Sequence, residues 1–229
     1  MRKKTPSIQQ AARKLTVYTD PRSVAAEQYR TIRTNINFAQ TDIGLKTVLF
    51  TSAWKEEGKS TTACNMAIAF AEEGKKVLLV DGDMRRPTVH YTFMLNGRIG
   101  FSSLLVESAT VQDAIKETQV PNLFVLPCGP IPANPAELIG SARMDKLLWE
   151  FKKNFDLVLF DSPPALSVTD ARILANKCDG TILVMRAGVS EKDSVSRARD
   201  VLIASKGNVL GGILNNYRMG REYFRRAYV

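Results

Sequence analysis

The stretch from Val48 to Thr62, VLFTSAWKEEGKSTT, constrains the fold of this chain more than any other. Val48-Leu49-Phe50-Thr51 is an apolar run rich in β-favouring residues, the composition of a strand buried in a parallel sheet. A loop follows and closes on Gly58-Lys59-Ser60. Beyond it, Thr61 to Ala71 carries apolar residues at helical spacing. The reading is strand, loop, helix.

That order is the setting a phosphate-binding loop requires. Backbone N–H groups of the loop and of the helix N-terminus can surround phosphate oxygens. Lys59 adds a point charge toward the β- and γ-phosphates, and the Ser60 hydroxyl is a hard oxygen ligand for Mg²⁺. The full pattern is GxxxxGK[ST]. Here Ala53 takes its first position, and Trp54-Lys55-Glu56-Glu57 fills the interior with no glycine before Gly58. Ala53 through Thr61 are the candidate nucleotide contacts.

Two further apolar runs end in acids. Val77-Leu78-Leu79-Val80 runs into Asp81, with Asp83, Arg85 and Arg86 just beyond. Leu157-Val158-Leu159-Phe160 runs into Asp161, followed by Ser162-Pro163-Pro164. Carboxylates at the carboxyl ends of parallel strands lie where doubly wound folds bind ligands. A DxDxR spacing beside a phosphate loop points to metal-assisted chemistry, and an acid ending a strand is poised to hold Mg²⁺ directly or through water. Asp81, Asp83 and Asp161 join Ser60 as candidate metal ligands.

Strand and helix patterns alternate along the rest of the chain. Asn122–Leu126, Gly180–Met185 and Val209–Asn216 read as strands. Asp20–Phe38, Phe101–Val106, Val111–Glu117, Ser141–Lys153, Asp170–Lys177 and Ser190–Ser205 read as helices, the first capped by Asp20 with Pro21 at its first position. Pro127 to Pro135 holds four prolines and reads as a stiff loop. The expected fold is one α/β domain of the P-loop NTPase type, with a mostly parallel central sheet flanked by helices on both faces. Its expected span is 20–216, between a basic arm (1–19) and a basic tail (217–229).

Composition excludes several classes. No run of 18 apolar residues exists, so no transmembrane helix is expected. The basic N-terminus lacks the apolar core of a secretory signal. Cys64, Cys128 and Cys178 are too few and too scattered for a disulfide framework or a zinc site and suit a reducing cytosol. One histidine, His90, cannot supply a His-rich metal site. The net charge of +9 sits at the two ends. Arg2, Lys3, Lys4, Arg13, Lys14 and Arg22 against Asp20 leave +5 in residues 1–22, and Arg218, Arg221, Arg225 and Arg226 against Glu222 leave +3 in 217–229. Basic ends of this kind are solvated segments or meet an anionic surface.

Taken together, Ala53–Ser60, the DxDxR of Asp81–Arg85 and the apolar-DxPP of Leu157–Pro164 resemble the bacterial tyrosine kinases of capsule and exopolysaccharide biosynthesis. In that family these are the Walker A, A′ and B motifs. The resemblance covers nearly the whole chain. It includes an ExxRxxR helix motif, met by Glu27, Arg30 and Arg33, the Asn134–Ser141 continuation of the proline-rich loop, and a tyrosine-bearing tail, met by Tyr217, Tyr223 and Tyr228. The resemblance implies an ATP- and Mg²⁺-dependent protein-tyrosine kinase. Lys59, Asp81 and Asp83 would carry catalysis, with Asp81 as the base that accepts the tyrosyl proton. Arg85 and Arg86 would orient phosphates or the incoming tail, and Asn215 or Asn216 would recognise adenine. The tail tyrosines would be phosphorylated by a neighbouring subunit in a homo-oligomeric ring joined through Glu27, Arg30 and Arg33. It also implies tyrosine-containing protein substrates, no direct contact with nucleic acid, and a cytoplasmic chain recruited to the membrane by the cytoplasmic tail of a membrane adaptor.

Two features depart from the family pattern. Lys55-Glu56 replaces the usual Pro-Gly of the phosphate loop, and the tail tyrosines are spread out. Two other readings share the fold: a MinD/ParA-like ATPase, which usually carries lysine where this chain has Trp54, and a regulatory module that binds nucleotide weakly.

Overall fold

The structure, a computed structural model, describes residues 12–39 and 44–217. Its centre is a seven-stranded sheet in the order β3-β4-β2-β5-β1-β6-β7. The strands are β1 (Thr47–Ser52), β2 (Val77–Asp81), β3 (Lys116–Glu117), β4 (Leu123–Leu126), β5 (Leu157–Asp161), β6 (Gly180–Arg186) and β7 (Val209–Asn215). Neighbouring strands run parallel except β3, which pairs antiparallel with β4 at one edge.

Every residue of β1, β2 and β5 is buried. Side chains alternate across the pleat, so each strand feeds two cores. Val48, Phe50, Leu157 and Leu159 face one layer, formed by α1 (Thr16–Thr19), α2 (Val24–Phe38), α3 (Lys59–Glu72) and α4 (Val89–Thr92). Leu49, Val158 and Phe160 face the other, formed by α5 (Phe101–Leu105), α6 (Val111–Ala114), α7 (Pro135–Gly140), α8 (Ala142–Asn154), α9 (Asp170–Lys177) and α10 (Lys192–Ala204). Each large apolar side chain taken out of water this way contributes roughly 1.5–3 kcal/mol. Double-sided burial is why these strands read as unbroken apolar runs rather than as alternating ones.

Helix α3 is buried on nearly every side, from Thr62 through Ala71. The sheet covers one side, and α1 and α2 cover the other. A helix so placed needs small or apolar residues all round. Besides Thr62, Asn65 is the polar exception, fully buried and fully used. Its Oδ1 accepts from Val17 N at 3.0 Å, and its Nδ2 donates to Lys14 O and Thr61 O, each at 2.9 Å.

Three expectations need correction. The first long helix begins at Val24, not at Asp20. Ser23 is its cap and accepts from Ala26 N, while Asp20 closes the turn of α1. The basic arm does not run free to residue 19, because Leu15 and Val17 are buried against α3 and carry α1 with them. The helix expected over 111–117 stops at Ala114, and Lys116–Glu117 instead pair with Val125 and Phe124. Extended backbone at Ile115 makes that switch. The stretch after the proline-rich loop holds its own helix, α7, opened by Pro135 at its first turn, where a missing N–H does no harm.

The order β2-β5-β1 sets the carboxyl ends of these three strands side by side. In register, Asp81 lies opposite Asp161, and Phe50 opposite Asp161 on the other side. The loop after β1 and the acids ending β2 and β5 therefore open on one crevice. This is the position where open α/β sheets bind ligands.

Candidate functional site

The loop between β1 and α3 is built on two left-handed residues. Gly58 has φ 97° and is the cap of α3. A Cβ there would stand 1.8 Å from Asn215 Nδ2, so both the backbone shape and the close approach require glycine. Glu56 has φ 67°, the same left-handed region, without being glycine. This is the second position of the Lys55-Glu56 pair that stands in place of Pro-Gly. The loop thus keeps its turn with a residue that strains to make it, at a cost on the order of 1 kcal/mol.

The two loop acids do not crowd the cradle equally. Glu56 is exposed. Glu57 is buried to 2% exposure, and its Oε2 accepts from Trp54 N at 2.8 Å. Its other oxygen accepts from the Ser190 hydroxyl. Both oxygens are therefore spent on donors of the protein. Ala53 is buried, Ser52 Oγ donates to Trp54 O at 2.6 Å, and the Trp54 side chain is exposed, as is Lys55. Ser60 is buried at the first turn of α3, beside half-buried Thr61.

Lys59 crosses the crevice. Its ammonium donates to Asp83 Oδ2 at 3.0 Å and to Ser60 Oγ at 3.2 Å, and stands 3.5 Å from Asp161 Oδ1. Burial works against its charge, but Asp161 and Asp83 outweigh that and hold its pKa above the ordinary lysine value. Asp83 Oδ1 accepts from Arg86 N at 3.1 Å. Asp81 Oδ2 accepts from Thr88 N and Val89 N, each at 3.0 Å, at the start of α4. Burial, and then Asp161 alongside, push the Asp81 carboxyl up to about 8. Burial raises Asp161 as well. Cys64 and Cys128 lie buried behind the acids with their thiols held up by burial, so neither is a ready nucleophile.

Asp81 Oδ1 and Asp161 Oδ2 are buried without a partner among the described residues, and Asp161 Oδ1 has only the Lys59 ammonium, 3.5 Å away and with no hydrogen bond. Unpaired buried acceptors of this kind call for a cation or a donor that arrives with a ligand. Among the described residues, no group of three or more His, Cys, Asp or Glu is arranged to hold a metal alone. That combination fits Mg²⁺, which takes one or two carboxylates and completes its shell with water and phosphate oxygens. Ser60, Asp81, Asp83 and Asp161 lie within this one crevice; a zinc- or calcium-type cage is absent from it.

The other residues singled out in the sequence fall into different places. Asn215, at the end of β7, donates to Glu57 O at 3.3 Å and so borders the phosphate loop. Arg85 is held elsewhere. It makes a two-pronged ion pair with fully buried Asp170, at 2.9 and 3.0 Å, which ties the loop after β2 to α9. Glu27, Arg30 and Arg33 share a face of α2, and the two arginines reach the end of α3. Arg30 contacts Glu72 at 3.2 Å and Pro21 O at 2.8 Å, while Arg33 donates to Ala69 O at 2.6 Å. Tyr217 is exposed at the last described position, and Tyr223 and Tyr228 lie outside the described residues. Sequence reading passed over Asp170 and Ser190 as site residues. Each looks like an ordinary residue at a helix start, and only the fold sets it against Arg85 or Glu57.

The chain is similar to known proteins along most of its length. A family profile described as an AAA domain matches residues 56–190. Tyrosine-protein kinase YwqD of Bacillus subtilis is 45% identical over 210 residues, covering 92% of this chain and 89% of that protein. The crystal structure of the chimerical protein CapA2B2 superposes with a TM-score of 0.86 at 39% identity, covering 91% of this chain and 93% of that one. The septum site-determining protein MinD from Pyrococcus horikoshii, complexed with Mg-ADP, is more distant, with a TM-score of 0.65 at 25% identity over 79% of this chain and 76% of that one. Among the described residues no helix is long and apolar enough to cross a membrane. With the phosphate loop, the paired strand-end acids and a relative of this identity along nearly its whole length, the chain belongs to the family of bacterial tyrosine-protein kinases.

Proposed function

We propose that this chain transfers the γ-phosphoryl group of ATP to tyrosines of its own C-terminal tail on a neighbouring copy, and to tyrosines of other proteins. The observation that carries the reading is the convergence of Lys59 and Ser60 with Asp81, Asp83 and Asp161 in one crevice, where Asp81 Oδ1 and Asp161 Oδ2 lack a partner and Asp161 Oδ1 meets only Lys59. Bound Mg²⁺ would supply charge neutralisation at the phosphates. Ser60, Asp83 and Asp161 would hold it, with Asp81 at the edge of its shell. The N–H groups of Ala53 to Thr61 would cradle the phosphates, and Lys59 would leave Asp83 for them. Asp81 would accept the phenol proton. The value of about 8 belongs to the metal-free site; Mg²⁺ bound beside it would favour the ionised carboxylate, the form that can accept a proton.

The wider role follows the family. Residues 217–229, with Tyr217, Tyr223 and Tyr228, would be the substrate tail, and residues 20–216 the kinase domain. Glu27, Arg30 and Arg33 would join subunits in a ring, and Asn215 would border the adenine. A membrane adaptor's cytoplasmic tail would recruit the chain to the inner face of the membrane, where phosphorylation regulates capsular or exopolysaccharide synthesis and export. Each phosphate adds about −1.5 to −2 charge to a basic tail and so changes how it docks.

The test is incubation with Mg-ATP, with and without the adaptor tail. The kinase reading expects phosphotyrosine on the chain, lost in Lys59→Met and mostly lost when Tyr217, Tyr223 and Tyr228 are changed to Phe. The fold shared with MinD keeps an ATPase as the second reading, which expects phosphate release and no phosphotyrosine.

A further inference from the structure

A carboxylate inside a phosphate-binding loop needs a reason to be there. Glu57 lies between the two left-handed residues of the loop, Glu56 at φ 67° and Gly58 at φ 97°. Its side chain is buried and bonded at both oxygens, to Trp54 N inside the loop and to the Ser190 hydroxyl outside it. Ser190 is itself fixed. Its Oγ accepts from Arg186 N at 2.7 Å, and its N–H donates to Arg186 O at 2.9 Å, around a turn with left-handed Gly188.

The same turn returns to the loop by two further routes. Arg186 Nη1 donates to Glu56 O at 3.3 Å. Ala187 N donates to Asn215 O at 2.9 Å, and Asn215 Nδ2 donates to Glu57 O at 3.3 Å. The phosphate loop, the β6–α10 turn and the end of β7 are thereby closed into one hydrogen-bonded ring. Glu57 is the only side chain of the loop interior that is buried in it.

We propose that Glu57 and Ser190 form a lock that holds the phosphate loop in its nucleotide-binding shape. Glu57 is then a positioning residue: its carboxylate is turned onto protein donors and away from the cradle. The lock also accounts for the loop tolerating a strained Glu56 where the family pattern has glycine. The rigidity that proline would give locally, and the hold on a left-handed turn that glycine would make without strain, are supplied here from the β6–α10 turn. The inference rests on the nucleotide reading of the site.

The experiment measures ADP binding in the presence of Mg²⁺ by calorimetry, on the full chain and on Glu57→Ala, Ser190→Ala, the double variant and Ser190→Thr. Ser190→Ala is expected to raise the Kd for ADP about tenfold, Glu57→Ala by at least as much because it also loses the Trp54 N contact, and the double variant by no more than Glu57→Ala alone, because the Glu57–Ser190 contact is shared. Ser190→Thr keeps a hydroxyl and is expected to bind within about twofold of the parent. In the phosphorylation assay, Ser190→Ala should raise the KM for ATP with kcat changed by less than about threefold, the pattern of lost uniform binding. Thermal unfolding of each variant separates loss of fold from loss of the lock. Alanine variants that bind ADP like the parent, or a double variant weakened by the product of the single effects, overturn the lock. A parent chain that fails to bind ADP overturns the nucleotide reading, and the lock with it.

Discussion

The Lys59 ammonium is bonded to Asp83 at 3.0 Å, so the lysine that would meet phosphate and an acid that would meet Mg²⁺ neutralise each other in the single chain. Asp161 leans on the same ammonium from 3.5 Å. Removing the cation leaves buried carboxylates uncompensated. Lys59→Met is expected to destabilise the nucleotide-free protein by about 3 kcal/mol at pH 8, and by less at pH 5, where Asp81 is protonated. Urea unfolding at the two pH values measures this. Equal losses at both would show that packing, not charge, is what Lys59 supplies.

Asp81 makes the metal-free protein sensitive to pH. Its folded pKa, about 8, lies above the unfolded value of 3.8, so the folded state holds the proton more tightly across that window. Below 3.8 both states are protonated and nothing is lost. Between 3.8 and 8 the unfolded state ionises while the folded state does not, and stability falls as pH rises, with a limiting slope of about 1.4 kcal/mol per pH unit from this group. Asp161 is shifted in the same direction and adds to the fall. In EDTA, the midpoint of thermal unfolding should therefore drop between pH 5 and pH 8, and Asp81→Asn should flatten the drop. A parent profile that rises with pH over that range contradicts the assignment.

Glu56 holds φ 67° with a Cβ in place. Glu56→Gly removes the steric penalty and is expected to stabilise the fold by roughly 0.5–1 kcal/mol, the greater freedom of unfolded glycine offsetting part of the gain. Chemical denaturation reads it directly. Destabilisation would mean that the exposed Glu56 side chain contributes something its surroundings do not display.

Arg85 and Asp170 are an unequal pair, since Asp170 is fully buried while the Arg85 side chain is 43% exposed. Arg85→Ala strands a buried carboxylate and is expected to cost about 3 kcal/mol. Asp170→Asn, which keeps an acceptor for the guanidinium, should cost less than half of that. Unfolding free energies of the two variants compare them, and equal costs would refute the asymmetry. If Arg85 also met phosphate, Asp170→Asn would leave ADP affinity intact while Arg85→Ala reduced it.

Much of this molecule was legible in its sequence because the relevant forces are local or periodic. Strands buried on both faces must be apolar throughout, which exposes β1, β2 and β5 without further help. Helix α9 falls where Asp170–Lys177 was expected, and Thr110 caps α6 by accepting from Asp113 N as a cap should. Expectations failed where a segment's fate depended on a distant partner. Lys116–Glu117 left the helical pattern because β4 offered an edge, and Leu15 and Val17 drew part of a basic arm onto α3.

The site divides in the same way. By itself, the sequence determined that a phosphate loop and three acids exist, Asp81 and Asp161 ending buried strands and Asp83 just beyond the first of them, because composition and spacing encode strand, turn and helix start over short stretches. Only the tertiary structure decided that Asp81 would face Asp161 across β2 and β5, that Lys59 would bridge to Asp83, and that Arg85 would be taken by Asp170. It also decided the question the loop raised. Trp54-Lys55-Glu56-Glu57 holds its shape without the missing glycine, since Glu56 accepts the left-handed conformation and Glu57 turns its charge onto Trp54 N and Ser190, which stands 133 positions away in the chain. A hydrogen bond across that separation leaves no periodic trace in the sequence, because its geometry exists only once the sheet has brought the two turns together.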